Sequence, residues 1–413
     1  MDNKYSRFIA CFLLLLFPSL CNLVRHSGST LLVLLTLMGL PIALSPKRRP
    51  SLTIYEKWVM SAFAAYFGVY LFSFVLNGLL GNLPDFRLRN IDHEFRFLFV
   101  FPLFLLMRYL RISRGILWGS VTTGALIAGG YAIYNSLWLT PGQRVSGGYH
   151  SIAFGDLSLA MAFMSSVAMD WYKRNRNIYL LVPIAALLMG VIASIMSGSR
   201  GAWIAIPALF GVLFSYSSKF LRIGPRLLMV GVCCVLAVAA YKIPATKIAR
   251  RLDAVVTDIA DYAQGRRLPT SAAERIESWR AALDIFYQNP LFGAGPGTYE
   301  PLVHELVAKG TRHEIAAPYS QPHSIYFSVM SDCGLLGLIA LLAVLGTPLW
   351  LAIIYIRSGR KVRDLGYALV MLVVGFAHFG LTETIFGRNV NVSFYVVMVA
   401  FLMAVAANEK AAE

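Results

Sequence analysis

Long apolar stretches recur along the whole chain and constrain its fold more than any other feature. A run of 17 to 25 apolar residues in a helix, at ~1.5 Å per residue, crosses a hydrocarbon core of roughly 30 Å. Twelve such spans can be marked, at about residues 8–24, 29–45, 58–80, 95–110, 115–139, 151–171, 178–196, 201–217, 227–243, 322–356, 365–383 and 389–407. Only 14% of residues are charged and the mean hydropathy is +0.63. The sequence therefore predicts an all-α polytopic membrane protein that lies in the lipid bilayer.

The positive charge is spread over short blocks between the spans. The formal net charge is +16, but the absence of a single basic patch argues against a nucleic-acid partner. Loops after even-numbered spans carry seventeen Lys and Arg, whereas the short loops after odd-numbered spans carry seven. Positive charge favours the cytoplasmic side of a membrane. We therefore expect the even loops and both termini to be cytoplasmic, and the odd loops to lie outside.

This topology divides the chain into three parts. Residues 1–241 hold nine spans, residues 242–321 form the one long hydrophilic loop, and residues 322–413 hold three further spans. The loop lies on the outer side. Its segment "ATKIARRLDAVVTDIADY" has apolar residues at helical spacing, which predicts an amphipathic helix on the membrane surface or, equally, one packed on the spans.

A second helix is predicted over "SAAERIESWRAALDIFYQNP". Ser271 and Glu274 fit a capping box, and four residues form an apolar stripe, namely Ile276, Trp279, Leu283 and Phe286. The glycine-rich "LFGAGPGTY" follows. Pro296 removes an N–H donor there, which favours a tight turn over a phosphate-binding loop.

Arg200, in "MSGSRGAW", stands at the outer end of the eighth span. The free N–H groups of a helix start and the arginine charge together favour an anion. Small neighbours, including Ser199, would let a ligand approach the backbone. The alternative is an interfacial arginine that reaches the lipid headgroups.

His323 opens a span of 34 residues without Lys or Arg. One straight helix of that length would measure ~51 Å, so the span projects outside or breaks near Asp332–Gly334. Either choice leaves His323 at the outer interface. Histidine is a common general base near neutral pH, so a histidine at this position could accept a proton. The alternative is a histidine at a helix start that makes only a structural hydrogen bond.

Further charged residues share this outer side. Arg275 and Arg280 flank Trp279 in the loop, and Glu383 and Arg388 lie between the last two spans. Arg, His or Glu from four separate segments thus converge on one face of the membrane, which indicates a functional site. No HExxH, Asp-x-Asp or Walker A pattern occurs, so neither a metal nor ATP nor another cofactor is expected.

Three blocks carry a family resemblance. The segments "SGSRGAW", "ERIESWRAALDIFYQNPLFGAGPGTY" and "PHSIYFSVMSDCGLLGL" resemble those of the O-antigen ligase superfamily, which also holds O-antigen polymerases and bacterial O-oligosaccharyltransferases. They occur in the expected order and flank the single large loop. The resemblance implies a GT-C-like glycosyltransferase architecture with about twelve spans and a helical periplasmic loop in a bacterial inner membrane.

The resemblance also implies an activity. Its ligases transfer a glycan from undecaprenyl diphosphate to a sugar hydroxyl of lipid A–core, at the periplasmic face, in lipopolysaccharide biosynthesis. By resemblance, Arg200 and Arg275 would bind the diphosphate, with Arg280 or Arg388 assisting, and His323 would be the general base of a metal-independent, inverting transfer. Ser199, Ser324, Glu383 and Trp279 form a second tier of candidates. Ser324 stands where the family often has Asn, which disfavours the protein-glycosylating branch.

Two other functions stay open. An O-antigen polymerase would use the same donor with a second lipid-linked glycan as acceptor. A transporter of anionic lipids would use the charged residues as a path, but no internal repeat is visible. Apart from Asp332 and His378, the cores of the late spans are apolar.

Overall fold

The computed structural model describes residues 3–411 apart from 84–86, 176, 219–221, 225–230, 232–241, 243–247 and 267–269. The described residues contain helices and turns and no strand. The helices are α1 Asn3–Leu23, α2 Ser27–Leu44, α3 Ile54–Leu79, α4 Asp92–Phe95, α5 Val100–Tyr109, α6 Arg114–Tyr134, α7 Ser151–Val167, α8 Met169–Asn175, α9 Leu181–Ser197, α10 Arg200–Trp203, α11 Ile206–Ser217, α12 Ile248–Ala263, α13 Ser271–Gln288, α14 Tyr299–Ala308, α15 Ile325–Arg357, α16 Arg363–Phe379 and α17 Asn389–Ala411. Short 3-10 turns lie at Leu88–Ile91, Arg96–Phe99, Asn177–Leu180, Glu314–Ala316 and Ile385–Gly387, and a π turn extends α6 over Asn135–Leu139.

Seven segments in the described part are long and apolar enough to cross a membrane. They are Lys4–Leu23, Ser27–Leu44, Ile54–Leu79, Arg114–Leu139, Ile178–Ser197, Ile325–Arg357 and Asn389–Ala411. The all-helical prediction is confirmed, and these segments agree with a polytopic membrane protein. Four further predicted spans correspond to the shorter helices α5, α7, α11 and α16. The predicted span 227–243 lies almost wholly outside the described residues, so the count of twelve and the division near residue 241 stay predictions.

Helix α17 forms the centre of the bundle. Its apolar window is buried along its full length, and α17 packs against α2, α5 and α16. Aromatic rings fill the contact with α16: Phe376 lies 4.9 Å from Tyr395 and 6.3 Å from Phe394, measured between ring centroids. Such close packing of large rings stabilises helix contacts in lipid, where no hydrophobic force draws helices together.

One end of the bundle gathers the loops that the charge count assigns to the cytoplasm. Arg114, the first residue of α6, lies 3.2 Å from Asp364 and 3.5 Å from Glu409 near the carboxyl terminus. At the amino terminus, Arg7 donates a hydrogen bond to the carbonyl of Arg111. The contacts therefore join the two terminal segments and two of the even loops at one end.

The opposite end gathers the odd loops. His93 and Asn389 lie 2.5 Å apart between Nδ1 and Oδ1, and the His26 N–H donates to the Tyr149 hydroxyl. Gly201 packs so closely on Thr382 that a side chain at 201 would overlap the Thr382 hydroxyl. These contacts agree with the grouping that the positive-inside rule predicts. Which end faces outward remains a prediction from the charge count.

The long helix α15 is broken at Gly334, which is one of the two options that its length left open. Gly334 has φ 63° and ψ −152°, a conformation almost restricted to glycine. The turn that follows α13 packs against this break. The N–H groups of Ala294 and Gly295 donate to the carbonyls of Ser331 and Asp332, at 2.9 and 3.0 Å. We call Pro290–Gly295 together with Ser331–Leu336 the loop–helix junction.

The junction is also held by α3. Leu335 N donates to the Pro290 carbonyl at 2.8 Å. The Ser73 hydroxyl lies 2.8 Å from the carbonyls of both Phe292 and Asp332, and Asn77 donates to the Gly293 carbonyl at 3.3 Å. The glycine-rich segment is therefore a turn, as predicted. Its backbone N–H groups donate to carbonyls that the break in α15 leaves without helical partners.

The N-cap of the loop helix α13 lies one residue earlier than predicted. Thr270 is the N-cap, and its side chain accepts from the Ala273 N–H. The Ser271–Glu274 capping box is therefore wrong, and Ser271 is the first helical residue. The predicted apolar stripe is also wrong, because its four members are only partly buried. The buried side instead contains Ala281, Ala282 and Ile285, which pack with Tyr299 and Val303 of α14.

Candidate active site at one end of the helical bundle

A tight turn between α9 and α10 holds Arg200. Gly198 ends α9 in the left-handed region, at φ 66°. The next residue, Ser199, is buried and its hydroxyl donates to the buried Asp156 carboxylate at 3.1 Å. Arg144 donates to the carbonyls of Ser197 and Gly198, at 2.9 and 3.3 Å. A basic side chain thus caps the carboxyl end of α9, and the direction of Arg200 is fixed.

Arg200 and Arg275 converge on one hydroxyl group. Arg200 Nη2 donates to Ser271 Oγ at 3.2 Å, and Arg275 Nη1 donates to the same oxygen at 2.9 Å. The Nε of Arg275 is buried and has no hydrogen-bond partner in the described part of the chain. Two guanidinium groups this close repel each other, so an anion bound between them would be favoured.

A second group of charges surrounds His323. Its Nδ1 lies 3.8 Å from Glu383 Oε2, which is close enough for an ion pair but too long for a hydrogen bond. Arg388 holds the other oxygen of Glu383, at 3.0 Å from Nη2 and 3.1 Å from Nε. Glu383 is only 1% exposed, whereas 23% of the His323 side chain is exposed. The Nδ1 of His323 is itself buried, so the exposed part of the ring lies elsewhere.

Two helix ends bring His323 and Glu383 together. The N–H of Ile325, at the start of α15, donates to the Gly380 carbonyl after α16 at 2.9 Å. Ser324 Oγ is bonded to the same carbonyl at 3.3 Å. His323 then adopts φ 52°, which is uncommon for a residue other than glycine. Such strain persists where the surroundings enforce it, and it is frequent at functional sites.

Tyr319 lies beside His323 and also interacts electrostatically with Arg275. Its ring lies 5.0 Å from the His323 ring, nearly perpendicular to it. Burial, then a hydrogen bond and charge from Glu274, raise the pKa of Tyr319 to about 12. The hydroxyl therefore stays protonated at neutral pH. We call Arg200, Ser271, Arg275, Tyr319, His323, Glu383 and Arg388 the arginine–histidine cluster.

Two pKa values in the arginine–histidine cluster reflect this grouping. Burial acts to raise the pKa of Glu383, but His323 and the Arg388 guanidinium outweigh it, and the pKa lies below its usual value. Burial, and next the positive charge of Arg200, lower the pKa of Arg275. Glu383 is therefore ionised at neutral pH, and Arg275 lies within the electric field of Arg200.

The other candidate residues lie at different distances from the arginine–histidine cluster. Ser199 and Ser324 are buried at its edge and hold backbone turns. Trp279 stacks on Phe327, with 5.5 Å between ring centroids. Arg280 is 48% exposed and points to a different partner, since Nη1 donates to the Tyr262 hydroxyl at 2.8 Å. Arg280 is therefore not brought to Arg200, whereas Arg275 is.

Sequence reasoning missed four residues of this site. Ser271 looked like a cap, Tyr319 stood in a loop without a pattern, and Arg144 was counted only as a loop charge. Asp156 lies in an apolar helix and is 1% exposed. An acidic residue inside a membrane segment is itself a functional signal, so Asp156 could have been found.

The arrangement can bind an anion and accept a proton at adjacent positions. Arg200, Ser271 and Arg275 offer several N–H and O–H donors, while His323 offers a ring nitrogen supported by a carboxylate. Across the described residues, no three or more His, Cys, Asp or Glu are grouped as metal ligands. The N–H and O–H donors of Arg200, Ser271 and Arg275 suit the oxygens of a phosphate-bearing substrate.

Comparison with known proteins supports the resemblance. A family described as O-antigen ligase matches residues 184–342, a range that contains Arg200, Arg275, His323 and the loop–helix junction. An uncharacterised protein of Haemophilus influenzae is 24% identical over 351 residues, which cover 85% of this chain and 86% of the relative. Residues 184–342 thus match the O-antigen ligase family, and this match supports the resemblance of the chain to the O-antigen ligase/polymerase superfamily.

Proposed function

We propose that the protein is an O-antigen ligase. It transfers a polysaccharide from undecaprenyl diphosphate to a sugar hydroxyl of lipid A–core, at the periplasmic face of the bacterial inner membrane. The donor glycan and lipid A–core are its partners, and no metal or other cofactor takes part. The family match supports the superfamily, and the geometry of the arginine–histidine cluster supports this reaction class.

One observation carries the proposal: two arginines from distant segments share the hydroxyl of Ser271. Arg200 belongs to the membrane helices and Arg275 to the loop, and 75 positions separate them in the sequence. A pair of fork-shaped guanidinium groups suits the oxygens of a diphosphate. The buried, unpaired Nε of Arg275 offers one more donor.

The arginines would act on the leaving group. As the bond between the anomeric carbon and the phosphate oxygen breaks, negative charge grows on the undecaprenyl diphosphate. Arg200, Arg275 and the Ser271 hydroxyl would stabilise that charge. Arg388 would act less directly, because it already holds Glu383. Arg280, which contacts Tyr262, has no part in this step.

His323 would act on the acceptor. The acceptor hydroxyl oxygen attacks the anomeric carbon from the side opposite the diphosphate, so the configuration inverts. Its proton passes to His323 Nε2. The Nδ1 side faces Glu383 at 3.8 Å, so the carboxylate would orient the ring and stabilise the imidazolium that forms. Glu383 thus has a positioning role in the proposal.

The orientation and domain division belong to the same proposal. Residues 1–241 and 322–413 would hold twelve membrane helices with cytoplasmic termini. Residues 242–321 would form a periplasmic domain that supplies Arg275. Helix α12 within it exists as predicted, and its contact with the membrane surface stays a prediction.

A reconstituted assay tests the proposal. Purified protein is mixed with undecaprenyl-diphosphate-linked glycan and lipid A–core, with EDTA present and without ATP. We expect glycan on lipid A–core, with the anomeric configuration inverted. Longer glycan on the carrier lipid, without transfer to lipid A–core, would instead identify a polymerase. If folded protein forms neither product, the ligase and polymerase functions are both contradicted and transport of an anionic lipid is favoured.

A further inference from the structure

His150 caps α7 with its side chain. Its Nδ1 accepts a hydrogen bond from the Ile152 N–H at 3.3 Å, and the side chain is exposed. A ring nitrogen that accepts a hydrogen bond carries no proton in the neutral imidazole. The proton is then on Nε2, which makes that atom a hydrogen-bond donor.

The position of His150 is fixed above the turn that holds Arg200. Asp156, six residues further along α7, binds Ser199. Six residues of helix span ~9 Å, so His150 lies about that far beyond the Asp156–Ser199 contact, toward the end of the bundle. The preceding segment is tied to the same turn, because Val145 N donates to the Met196 carbonyl at 3.1 Å and Arg144 binds Ser197 and Gly198.

The surroundings of His150 favour its neutral form. Burial, and next the Arg388 guanidinium, lower the pKa of His150, and Arg144 and His323 act in the same direction while Glu383 opposes them. A neutral imidazole can lie beside these arginines without repulsion. It would present an N–H to the same space that His323 borders.

We propose that His150 binds the substrate, donating a hydrogen bond from Nε2 to an oxygen of the glycan or of its diphosphate. This rests on the proposed function, because the substrate is the one that the arginine–histidine cluster would bind. The two histidines would then have opposite tautomers. His323, with Nδ1 toward Glu383, accepts a proton at Nε2, whereas His150 donates from Nε2 and is not a second base.

The competing explanation is that His150 only caps a helix. The chain offers a matched control for this, since His313 caps the turn Glu314–Ala316 with the same geometry. Its Nδ1 accepts from the Ile315 N–H, also at 3.3 Å. Asparagine is a preferred N-cap residue. His150→Asn therefore keeps the cap but removes the donor at the far side of the ring.

The test compares His150→Asn, His150→Ala and His313→Asn with the wild type. Transfer rates are measured at varied concentrations of undecaprenyl-diphosphate-linked glycan and of lipid A–core, and binding of each lipid is measured separately in detergent. We expect both His150 variants to lose roughly 2- to 12-fold in kcat/KM, which corresponds to one hydrogen bond, and His313→Asn to lose none. The lipid whose binding weakens is the one that carries the oxygen accepting the hydrogen bond from His150 Nε2.

The outcomes separate the two proposals. Normal kcat/KM and normal lipid binding in His150→Asn would overturn the role of His150, whatever His150→Ala does. If the wild type binds both lipids but transfers nothing, the ligase proposal fails. Weaker binding of either lipid to His150→Asn would in that case still support a contact with His150.

Discussion

The arginine–histidine cluster and the loop–helix junction join the same loop to the same membrane helix, but they are built differently. The arginine–histidine cluster uses charged side chains. Three of its buried polar atoms have no hydrogen-bond partner among the residues that the structure describes: Arg275 Nε, His323 Nδ1 and Glu383 Oε2. The loop–helix junction uses backbone groups and contains Gly293 and Gly334, where any side chain would overlap the facing backbone.

The difference indicates a division of labour. Unpaired buried polar atoms cost free energy, so the arginine–histidine cluster is poor at holding the loop in place. The loop–helix junction satisfies its carbonyls with N–H groups and with Ser73, and it can position α13 without charges. We therefore expect substitutions in the arginine–histidine cluster to reduce activity and substitutions in the loop–helix junction to reduce stability.

Arg200→Ala should give a large loss of activity, second only to that of His323→Ala. It removes one donor from the growing charge of the leaving group, so kcat should fall ~10²–10³-fold, while thermal stability should change little. Arg280→Ala is the matched control, because Arg280 is exposed and contacts Tyr262. Reconstituted transfer and a thermal unfolding curve are measured for both. Equal losses of activity in the two variants would contradict the placement of Arg280 outside the arginine–histidine cluster.

Gly334→Ala should break the loop–helix junction. The residue's φ of 63° and ψ of −152° disfavour alanine by ~1–3 kcal/mol, and its Cβ would overlap the Leu291 backbone. We expect a loss of about 3 kcal/mol in total, read from thermal unfolding in detergent.

Gly346→Ala in the same helix is its control, since nothing lies within 4 Å of an added Cβ there. It should change stability by less than about 1 kcal/mol. A Gly334→Ala protein as stable as Gly346→Ala would show that the break in α15 is not required.

Ser73→Ala should destabilise the loop–helix junction by a smaller amount, about 1 kcal/mol, because one hydroxyl serves two carbonyls. Ser61→Ala, at an exposed position of the same helix, is the comparison. Amide hydrogen exchange at Ala294 and Gly295 should speed up in Ser73→Ala only. Unchanged exchange would contradict the role of α3 in holding the loop.

The smallest effect concerns pH. The pKa of Glu383 is below its ordinary value in the folded protein, so its contribution to stability is fully present above about pH 4.3 and is lost as pH falls through the lower, folded value. Glu383→Gln should therefore reduce the fall in the thermal unfolding midpoint between pH 7 and pH 3. Glu305→Gln, at an exposed loop position, should not. An identical fall in the midpoint in Glu383→Gln and the wild type would refute the ion pairs of Glu383.

Much of the fold could be predicted from apolar length alone. The span of α15 is too long for the membrane, which left a projecting helix or a break near Asp332–Gly334 as the two options, and the glycine turn followed from Pro296. Neither prediction needed a tertiary contact. The face of α13 could not be predicted, because Ala281 and Ala282 are small and pack closely on α14, while Trp279 finds a partner in Phe327 of the membrane helix.

Some residues of the arginine–histidine cluster could be predicted from the sequence, and others could not. Topology alone put Arg200, His323, Glu383 and Arg388 at one end of the bundle. The choice of Arg275 over Arg280 depends on how the loop folds back, since both flank Trp279 in sequence. Ser271 was hidden because Thr270 and Ser271 are both good N-cap residues, and only the position of the first turn decides between them.

The most direct test of the central claim is the transfer rate of His323→Ala in the reconstituted assay, beside wild type and with folding confirmed by thermal unfolding. The arginine–histidine cluster predicts a loss of ~10²–10⁴-fold, as for other general bases, with thermal stability nearly unchanged. Transfer at close to the wild-type rate would contradict the assignment of His323 as the base and, with it, the mechanism proposed for this site.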